Sequence, residues 1–356
     1  MLTTLFHVPT EITVAGLRLP VVGVWSLGML VWLSITGVVL VWSSARNGFD
    51  SAIRTHWLTL AVTAAMVAIV LPRLDDGAGV PIRGYGVMLV VAAAAGTWLS
   101  IDRGRRVGID ADTIFGLATS VFLWGLLGAR LFYVLQYHDR FFRDDMSPLD
   151  SLRAIVDLSA GGLVVFGSLP TAGIAAWLFA RRRSIPFLRL CDCAVPGMLL
   201  GLAIGRIGCF LNGCCFGGVC GLPWAVSFPP NSPPWIDQVH RGVLPPSGGD
   251  GVPMWSLPVH PAQLYASIDA AILCLLLVAY SPFARRDGEI LSLALTIHPI
   301  ARILLEAIRV DEPPALGTPL SISQLISVGL LACAAVCWSV TLAGHPARRG
   351  ATEPDG

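Results

Sequence analysis

No lysine occurs in the 356 residues: all 24 basic residues are arginine, against 23 acidic ones, for a formal net charge of +1. The missing lysines exclude nothing alone, but the near-zero balance gives no footing for a nucleic-acid partner. Charge of either sign is scarce. Only 13% of residues are charged while 54% are hydrophobic, and mean hydropathy is +0.70. A soluble domain carries about twice that share of charge, so water is not the main solvent of this chain. Residues 1–19 lack the basic stretch of a cleavable signal, and the first apolar run is long enough to span a bilayer. The nine cysteines lack the spacing of a secreted disulfide framework. No internal repeat is visible, which argues against the repeat-built transporters.

What the sequence does have is long apolar runs. A bilayer core takes about 20 apolar residues at about 1.5 Å rise each. Nine stretches meet that length, near 21–43, 56–72, 84–101, 113–137, 160–180, 190–216, 260–283, 287–309 and 320–343. Only a helix satisfies its backbone within one span, so the fold class is all-α: a polytopic transmembrane helix bundle of about nine spans. The arginines orient it. Alternate connections hold Arg46, Arg54, Arg103, Arg105, Arg106, Arg181, Arg182, Arg183, Arg189, Arg285, Arg286, Arg348 and Arg349. The opposite connections hold fewer: Arg18, Arg73, Arg83, Arg140, Arg143, Arg153, Arg241 and Arg309. The positive-inside rule then places the N-terminus outside and the C-terminus inside.

With that orientation, position along a helix becomes depth. Arg83 and Tyr85 fall at the outer mouth of the third span, and Arg130 a turn or two below the outer end of the fourth. Gly161, Gly162 and Gly167 open the fifth. The sixth ends outward in Gly205-Arg206-Ile207-Gly208-Cys209-Phe210-Leu211-Asn212-Gly213-Cys214-Cys215, and His260-Pro261-Ala262-Gln263-Leu264-Tyr265 opens the seventh. Arg302, Glu306 and Arg309 share one face of the eighth, at i, i+4 and i+7. These polar residues converge on the outer leaflet; Asp192 and Asp269 lie elsewhere, the first placed to cap or pair near Arg189, the second one turn from Tyr265.

Arginine within hydrocarbon costs at least about 2.5–3.5 kcal/mol, so it persists with a partner or a ligand. Arg130, Arg206 and Arg302 all take that position, and Glu306 neutralises only one. Guanidinium groups bind phosphate through bidentate, charge-assisted hydrogen bonds, and a phospholipid headgroup is the simplest ligand at that depth. The structural alternative is that these arginines bond freed backbone carbonyls between helices. The glycines serve close helix packing or leave room for a ligand.

The runs from Gly205 to Gly213, Arg83-Gly84-Tyr85-Gly86, Gly128-Ala129-Arg130-Leu131, Gly161-Gly162, His260 to Tyr265, Arg302 to Arg309, and Ser321-Ile322-Ser323-Gln324 resemble, in order, the motifs of bacterial prolipoprotein diacylglyceryl transferases. The resemblance covers roughly residues 80 to 345. It implies a seven-span core at 81–345, a two-span N-terminal extension at 1–80, and a disordered tail at 346–356. It implies a multi-pass enzyme of the bacterial inner (plasma) membrane, without cofactor or metal. The reaction would move the diacylglyceryl group of phosphatidylglycerol to the lipobox cysteine thiol of a preprolipoprotein signal peptide, giving a thioether and glycerol phosphate. The partners would be those two substrates and membrane lipid. Arg206 and Arg302 would meet the phosphate, supported by Arg130 and Arg83, with Glu306 orienting Arg302 or Arg309. Tyr85, Asn212, Gln263 and Tyr265 would hydrogen-bond the headgroup or peptide, and Gly161, Gly162 and Gly208 would line the same site.

Three departures stand out. Where the family commonly has His or Tyr after the Gly-Gly pair, this chain has Phe166, which accepts no proton. Cys209 and Cys214 replace the usual Asn and Glu, and Gly218 replaces an Arg. The remaining candidates for the thiol base are His260, at the outer mouth of the seventh span, or no protein base at all. Cys209, Cys214, Cys215 and Cys220 read as small apolar filling, as disulfide partners of one another (except the adjacent Cys214 and Cys215), or as metal ligands without a Cys-x-x-Cys spacing or a nearby His pair. Cys274, Cys333 and Cys337 read as packing. The altered positions also keep a second class open, a homologue that binds or transports phospholipid without chemistry.

Overall fold

The computed structural model describes residues 4–38 apart from 15, 16, 22–25, 28 and 35, four isolated positions between 64 and 72, and residues 78–343 apart from 143–145, 158–161, 163, 246, 248–253 and 310–316. Most of the first two expected spans and the whole tail therefore lie outside the described residues. The chain divides into two compact units, Met1–Val87 and Met88–Gly356.

In the first unit the all-α expectation missed two short antiparallel pairs. Strand β1 (Thr4–Val8) pairs with β4 (Val80–Arg83), with Thr4 opposite Arg83 and Val8 opposite Val80. Strands β2 (Glu11–Val14) and β3 (Leu17–Pro20) pair with Val14 opposite Leu17. β-Branched and apolar residues supply the strand-forming pattern in all four.

From Gly84 onward the elements are helical: α1 (Gly84–Arg105), α2 (Ala111–Gln136), α3 (Pro148–Val156), α4 (Val165–Arg182), α5 (Phe187–Asn212), α6 (Pro233–His240), α7 (Ala262–Tyr280), α8 (Glu289–Glu306) and α9 (Ile322–Ala343). Seven of them coincide with the seven apolar runs from residue 84 on, within five residues at every end. Helices α1, α2, α5, α7 and α9 are long and apolar enough to cross a membrane. Helices α4 and α8 have 18 residues each; α4 ends in Arg181-Arg182, and α8 carries Glu289, Arg302 and Glu306.

Local signals set the boundaries. Asp110 caps α2, accepting the Thr113 amide at 3.0 Å, and Ser147 followed by Pro148 starts α3. Helix α8 is capped across the bundle: Asp192 on α5 accepts the amides of Gly288 at 2.6 Å and Leu291 at 2.8 Å. Arg189 pairs beside it with Asp287 at 3.0 Å.

Helix α2 packs on α4, α5 on α7, α7 and α5 on α8, and α8 on α9. One core joins Val195 and Leu199 of α5, Leu273 and Leu277 of α7, and Ile290 and Ala294 of α8. Small residues bring helices close where lipid supplies no hydrophobic drive: a Cβ on Gly96 of α1 would sit 2.6 Å from the Gly197 carbonyl oxygen of α5. Outward faces carry exposed apolar side chains such as Trp98, Phe115 and Leu275, the pattern of a surface solvated by lipid.

Candidate active site

The sixth apolar run, expected to continue to residue 216, stops at Asn212 because Gly213 takes a left-handed conformation with φ 77°. The amide of Gly213 donates to the Phe210 carbonyl at 3.2 Å and that of Cys214 to the Cys209 carbonyl at 3.2 Å. These two bonds form a Schellman motif, which folds the residue after the glycine back over the helix's last turn. Here it folds Cys214 onto Cys209. Cys215 then also adopts positive φ, 61°, a conformation that costs a non-glycine residue about 1–3 kcal/mol and persists where its surroundings over-determine it. The sulfurs of Cys209, Cys214 and Cys215 lie within 4.8 Å of one another, and all nine cysteines of the chain are free thiols.

Three elements hold this turn. On α7, the Gln263 side chain is fully buried and donates Nε2 to the Cys214 carbonyl at 2.7 Å. The backbone of His260 accepts from Gly217 at 3.0 Å and donates to Gly218 at 2.9 Å, and Gly218 donates to the Ile308 carbonyl just beyond α8 at 2.9 Å. Gly217 and Gly218 thereby join the end of α5 to the start of α7 and the end of α8. A Cβ on Gly217 would collide with His260 and the Ile308 carbonyl. Next to the turn, Phe216, Phe228 and Val259 are buried together.

Arginines surround the turn. Glu306, with only 5% of its side chain exposed, forms an ion pair with Arg302 and lies 3.9 Å from Arg309 Nη1. Arg302 also donates to Ser323 Oγ on α9 at 2.8 Å. Two guanidinium groups thus share one carboxylate. Arg206, half-buried on α5, makes no hydrogen bond or ion pair among the described residues. Its charge and that of Arg309 act on Cys215, whose thiol lies beyond the end of α5. That thiol is held below the ordinary range, first by hydrogen bonds from the Cys209 and Cys214 thiols and then by the two arginines.

The other expected site residues divide. Asn212 is the last residue of α5, beside the cysteine turn, and Gly208 is buried on the same helix. His260 Nδ1 lies 3.5 Å from Tyr265 Oη, which also accepts from Trp224 Nε1 at 2.7 Å. Arg130 behaves differently from Arg206. It donates to the carbonyls of Ala154, Ile155 and Asp157 at 2.7, 2.8 and 2.7 Å and to that of Gly162 at 2.8 Å, between the rings of Tyr133 and Phe141. Three of these acceptors are at the C-terminal end of α3, whose last carbonyls have no partner within the helix. Gly162, at φ 81°, leaves no room for a Cβ against Arg130 and Tyr133. Gly161 lies outside the described residues, and Phe166 falls in the first turn of α4. Arg83 and Tyr85 belong to the first unit, at the junction of β4 and α1.

Two features escaped the sequence reading. His298 on α8 stands one turn before Arg302, with its Nδ1 3.9 Å from Asp269 Oδ2 on α7, and it feels the charges of Arg206 and Arg302. Asp269 therefore faces His298, whereas Tyr265, its expected partner, is engaged by Trp224. The i−4 spacing of His298 from Arg302 was the available signal. The other is the mutual closeness of Cys209, Cys214 and Cys215, which the sequence groups with Cys220 under three open readings; the Cys-x-x-x-Gly-Cys run ending a helix was its signal.

A bundle in which α1, α2, α5, α7 and α9 are long and apolar enough to cross a membrane, with guanidinium groups gathered at the C-terminal ends of α5 and α8, has the make-up of a membrane protein. The sequence profile described as prolipoprotein diacylglyceryl transferase matches residues 76–340, and the chain belongs to that family. A Rhodopirellula baltica protein named phosphatidylglycerol–prolipoprotein diacylglyceryl transferase is 31% identical over 94% of this chain and 88% of its own length. Proteins of the same name from Clostridium tetani and Clostridioides difficile are 31% and 29% identical over 72% and 70% of this chain, and 92% and 87% of their own lengths. A match over 94% of the chain includes most of the residues ahead of position 76, so the N-terminal region is shared with the Rhodopirellula protein.

Proposed function

We propose that this chain transfers the diacylglyceryl group of phosphatidylglycerol to the lipobox cysteine of preprolipoproteins, forming a thioether and releasing glycerol phosphate. The observation that carries the reading is Arg206. A half-buried guanidinium without a partner among the described residues is costly in an apolar bundle unless a ligand supplies the counter-charge. Beside it Arg302 and Arg309 share the carboxylate of Glu306, so guanidinium groups gather where a phosphodiester and its more highly charged leaving group need them.

The thiolate attacks the glyceryl carbon that carries the phosphate. Its lone pair forms the S–C bond while the C–O bond breaks, and the electron pair leaves on the phosphate oxygen. Arg206 and Arg302 stabilise that charge as it develops, because their positions are set before reaction. Glu306 orients both Arg302 and Arg309. The buried Gln263 Oε1 has no hydrogen-bond partner among the described residues and accepts from the headgroup or the peptide; Tyr265 and Asn212 add hydrogen bonds at the rim. Arg130, with four donors committed to carbonyls, shapes the segment ahead of α4 and acts on the lipid only through its long-range charge. Arg83, Tyr85, Gly161, Gly162 and Gly208 take headgroup-lining roles on the family resemblance alone. His260 remains a proton acceptor available near the α5 turn.

The topology that goes with this reading has nine spans, two in an extension at 1–80 and seven in a core at 81–345, with a disordered tail at 346–356. The N-terminus lies outside and the C-terminus inside the bacterial inner membrane. The ends of α5 and α8 then face the outer leaflet, where translocated preprolipoproteins emerge.

Purified protein incubated with phosphatidylglycerol and a lipobox peptide is expected to release glycerol phosphate only when peptide is present, and Arg206→Ala to abolish release. Phosphatidylglycerol bound by the wild type without any release would replace the transferase with a lipid-binding protein. Neither binding nor release would overturn the phosphate assignment itself.

A further inference from the structure

The family motif usually supplies Asn and Glu where Cys209 and Cys214 stand, and Phe166 offers no proton acceptor. Nothing in the reaction above uses the three thiols of the α5 turn. Yet they form the one cluster of three or more His, Cys, Asp or Glu side chains, among the described residues, with ligand atoms close enough to hold a metal ion. Their proximity is built by the backbone. The Schellman motif sets Cys214 over Cys209, and Cys215 is held at φ 61° between the Gln263–Cys214 hydrogen bond and the Gly217 and Gly218 pairings. Apolar filling does not account for this setting, because the Gln263 amide bonds the turn's backbone and the charges of Arg206 and Arg309 act on Cys215. A disulfide would join two of the sulfurs and strand the third.

Zinc binds thiolates tetrahedrally at about 2.3 Å, which separates its sulfur ligands by about 3.8 Å. Sulfurs already within 4.8 Å of one another reach that spacing by small side-chain rotations. Three thiolates on a dication leave a net charge of minus one, which the Arg309 guanidinium near Cys215 offsets. Three protein ligands also leave the fourth position open, the arrangement of a zinc site that takes part in chemistry.

We propose that Cys209, Cys214 and Cys215 bind a zinc ion whose fourth position takes the thiol of the incoming lipobox cysteine and presents it as the attacking thiolate. The inference deepens the transferase reading and rests on it. A thiol that coordinates zinc loses its proton outright, here to solvent, so no base is needed at the position of Phe166. The bound sulfur's lone pair then forms the S–C bond, and the phosphate oxygen departs with the C–O electron pair. Zinc undergoes no redox change, and the neutral thioether, a poorer ligand than the thiolate, leaves the fourth position. The site acts by generating the nucleophile, while the arginines act on the leaving group.

The test uses the full chain in phosphatidylcholine nanodiscs, with no lipid donor present. Elemental analysis after exposure to zinc and desalting is expected to give one zinc per chain, falling to background in Cys209→Ser and Cys215→Ser and unchanged in Cys333→Ser. With cobalt in place of zinc, a thiolate-to-cobalt charge-transfer band should appear and should strengthen on adding a lipobox peptide, but not the same peptide with serine for cysteine. Absence of stoichiometric metal in protein whose three thiols still react with an alkylating reagent would overturn the site. A cobalt band indifferent to the peptide thiol would overturn its part in the reaction. Unchanged release of glycerol phosphate by metal-free protein would do the same and leave the transferase reading standing. Metal and peptide bound normally, with no release on adding phosphatidylglycerol, would overturn the transferase reading and the attack step with it while leaving the metal site.

Discussion

Arg130 and Arg206 look equivalent in the sequence: each follows a small residue near the outer end of an apolar run, and Arg206 is expected to meet the phosphate with Arg130 as a supporting charge. The structure gives them different surroundings. Arg130 on α2 spends its donors on four backbone carbonyls, most of them the unpaired end of α3. Arg206 on α5 bonds no carbonyl among the described residues, and the end of its own helix is closed by the Schellman motif at Gly213. Whether a membrane arginine is structural or available is therefore decided by the local supply of unsatisfied carbonyls. That supply depends on how neighbouring helices terminate.

The contrast can be broken at either arginine. Arg206→Ala should fold and bind zinc normally but lower release of glycerol phosphate by about 10²–10³-fold, the usual effect of removing one preorganised donor from a developing anion. Thermal unfolding should be unchanged alongside the loss of rate. Arg206→Lys should recover little, because a point charge does not reproduce a bidentate fork. Arg130→Ala should do the reverse. It strands carbonyls that cost about 1–3 kcal/mol each when unsatisfied, so a destabilisation on the order of 3 kcal/mol is expected, read as a lower melting temperature in detergent. The folded fraction should keep most of its turnover. An Arg130→Ala protein of normal stability and no activity would erase the distinction.

A smaller effect sharpens the other half of the comparison. Glu306 keeps Arg302 and Arg309 together, so Glu306→Gln retains an acceptor while removing the charge that fixes them. Turnover should fall by about tenfold, equivalent to about 1.4 kcal/mol of lost positioning. Affinity for phosphatidylglycerol should not weaken, since the site becomes more positive. Weaker lipid binding in this variant would mean that Glu306 itself contacts the substrate.

How much of this the sequence announces depends on the range of the interaction. The seven helices from Gly84 onward follow from apolar run length alone, and the pairing of Arg302 with Glu306 follows from helical spacing, because both are local; Arg309, expected on the same helix face, lies beyond the end of α8 and bridges to Gly217. The extent of α5 was overestimated by four residues, although Gly213 carried the stop signal. Three of the four carbonyls that occupy Arg130 lie at the end of α3, a nine-residue helix too short to register as an apolar run. The pairing of Asp269 with His298 depends on the crossing of α7 and α8, which no periodicity encodes. The β1–β4 pair joins residues more than 70 positions apart, as with Thr4 and Arg83, and was missed for the same reason, whereas β2 and β3 form a local hairpin that a search for long apolar runs passes over.

His298 tests the smallest difference. Its imidazole, 3.9 Å from Asp269 and near Arg206 and Arg302, resembles a base held by a carboxylate, and a working general base contributes about 10²–10⁴-fold. If zinc at the α5 turn ionises the lipobox thiol, no base is needed, and His298 serves to balance Asp269 within the bundle. His298→Gln should then cost less than about tenfold in turnover, well short of a general base's share. The pH profile of release should keep its shape, because the ionisation it reports belongs to the metal-bound thiol. A loss of about 10² or more, with the profile's lower limb removed, would transfer the proton-accepting role from the cysteine turn to His298. It would also show that the compensation for Phe166 lies on α8, one turn from the phosphate-binding arginine.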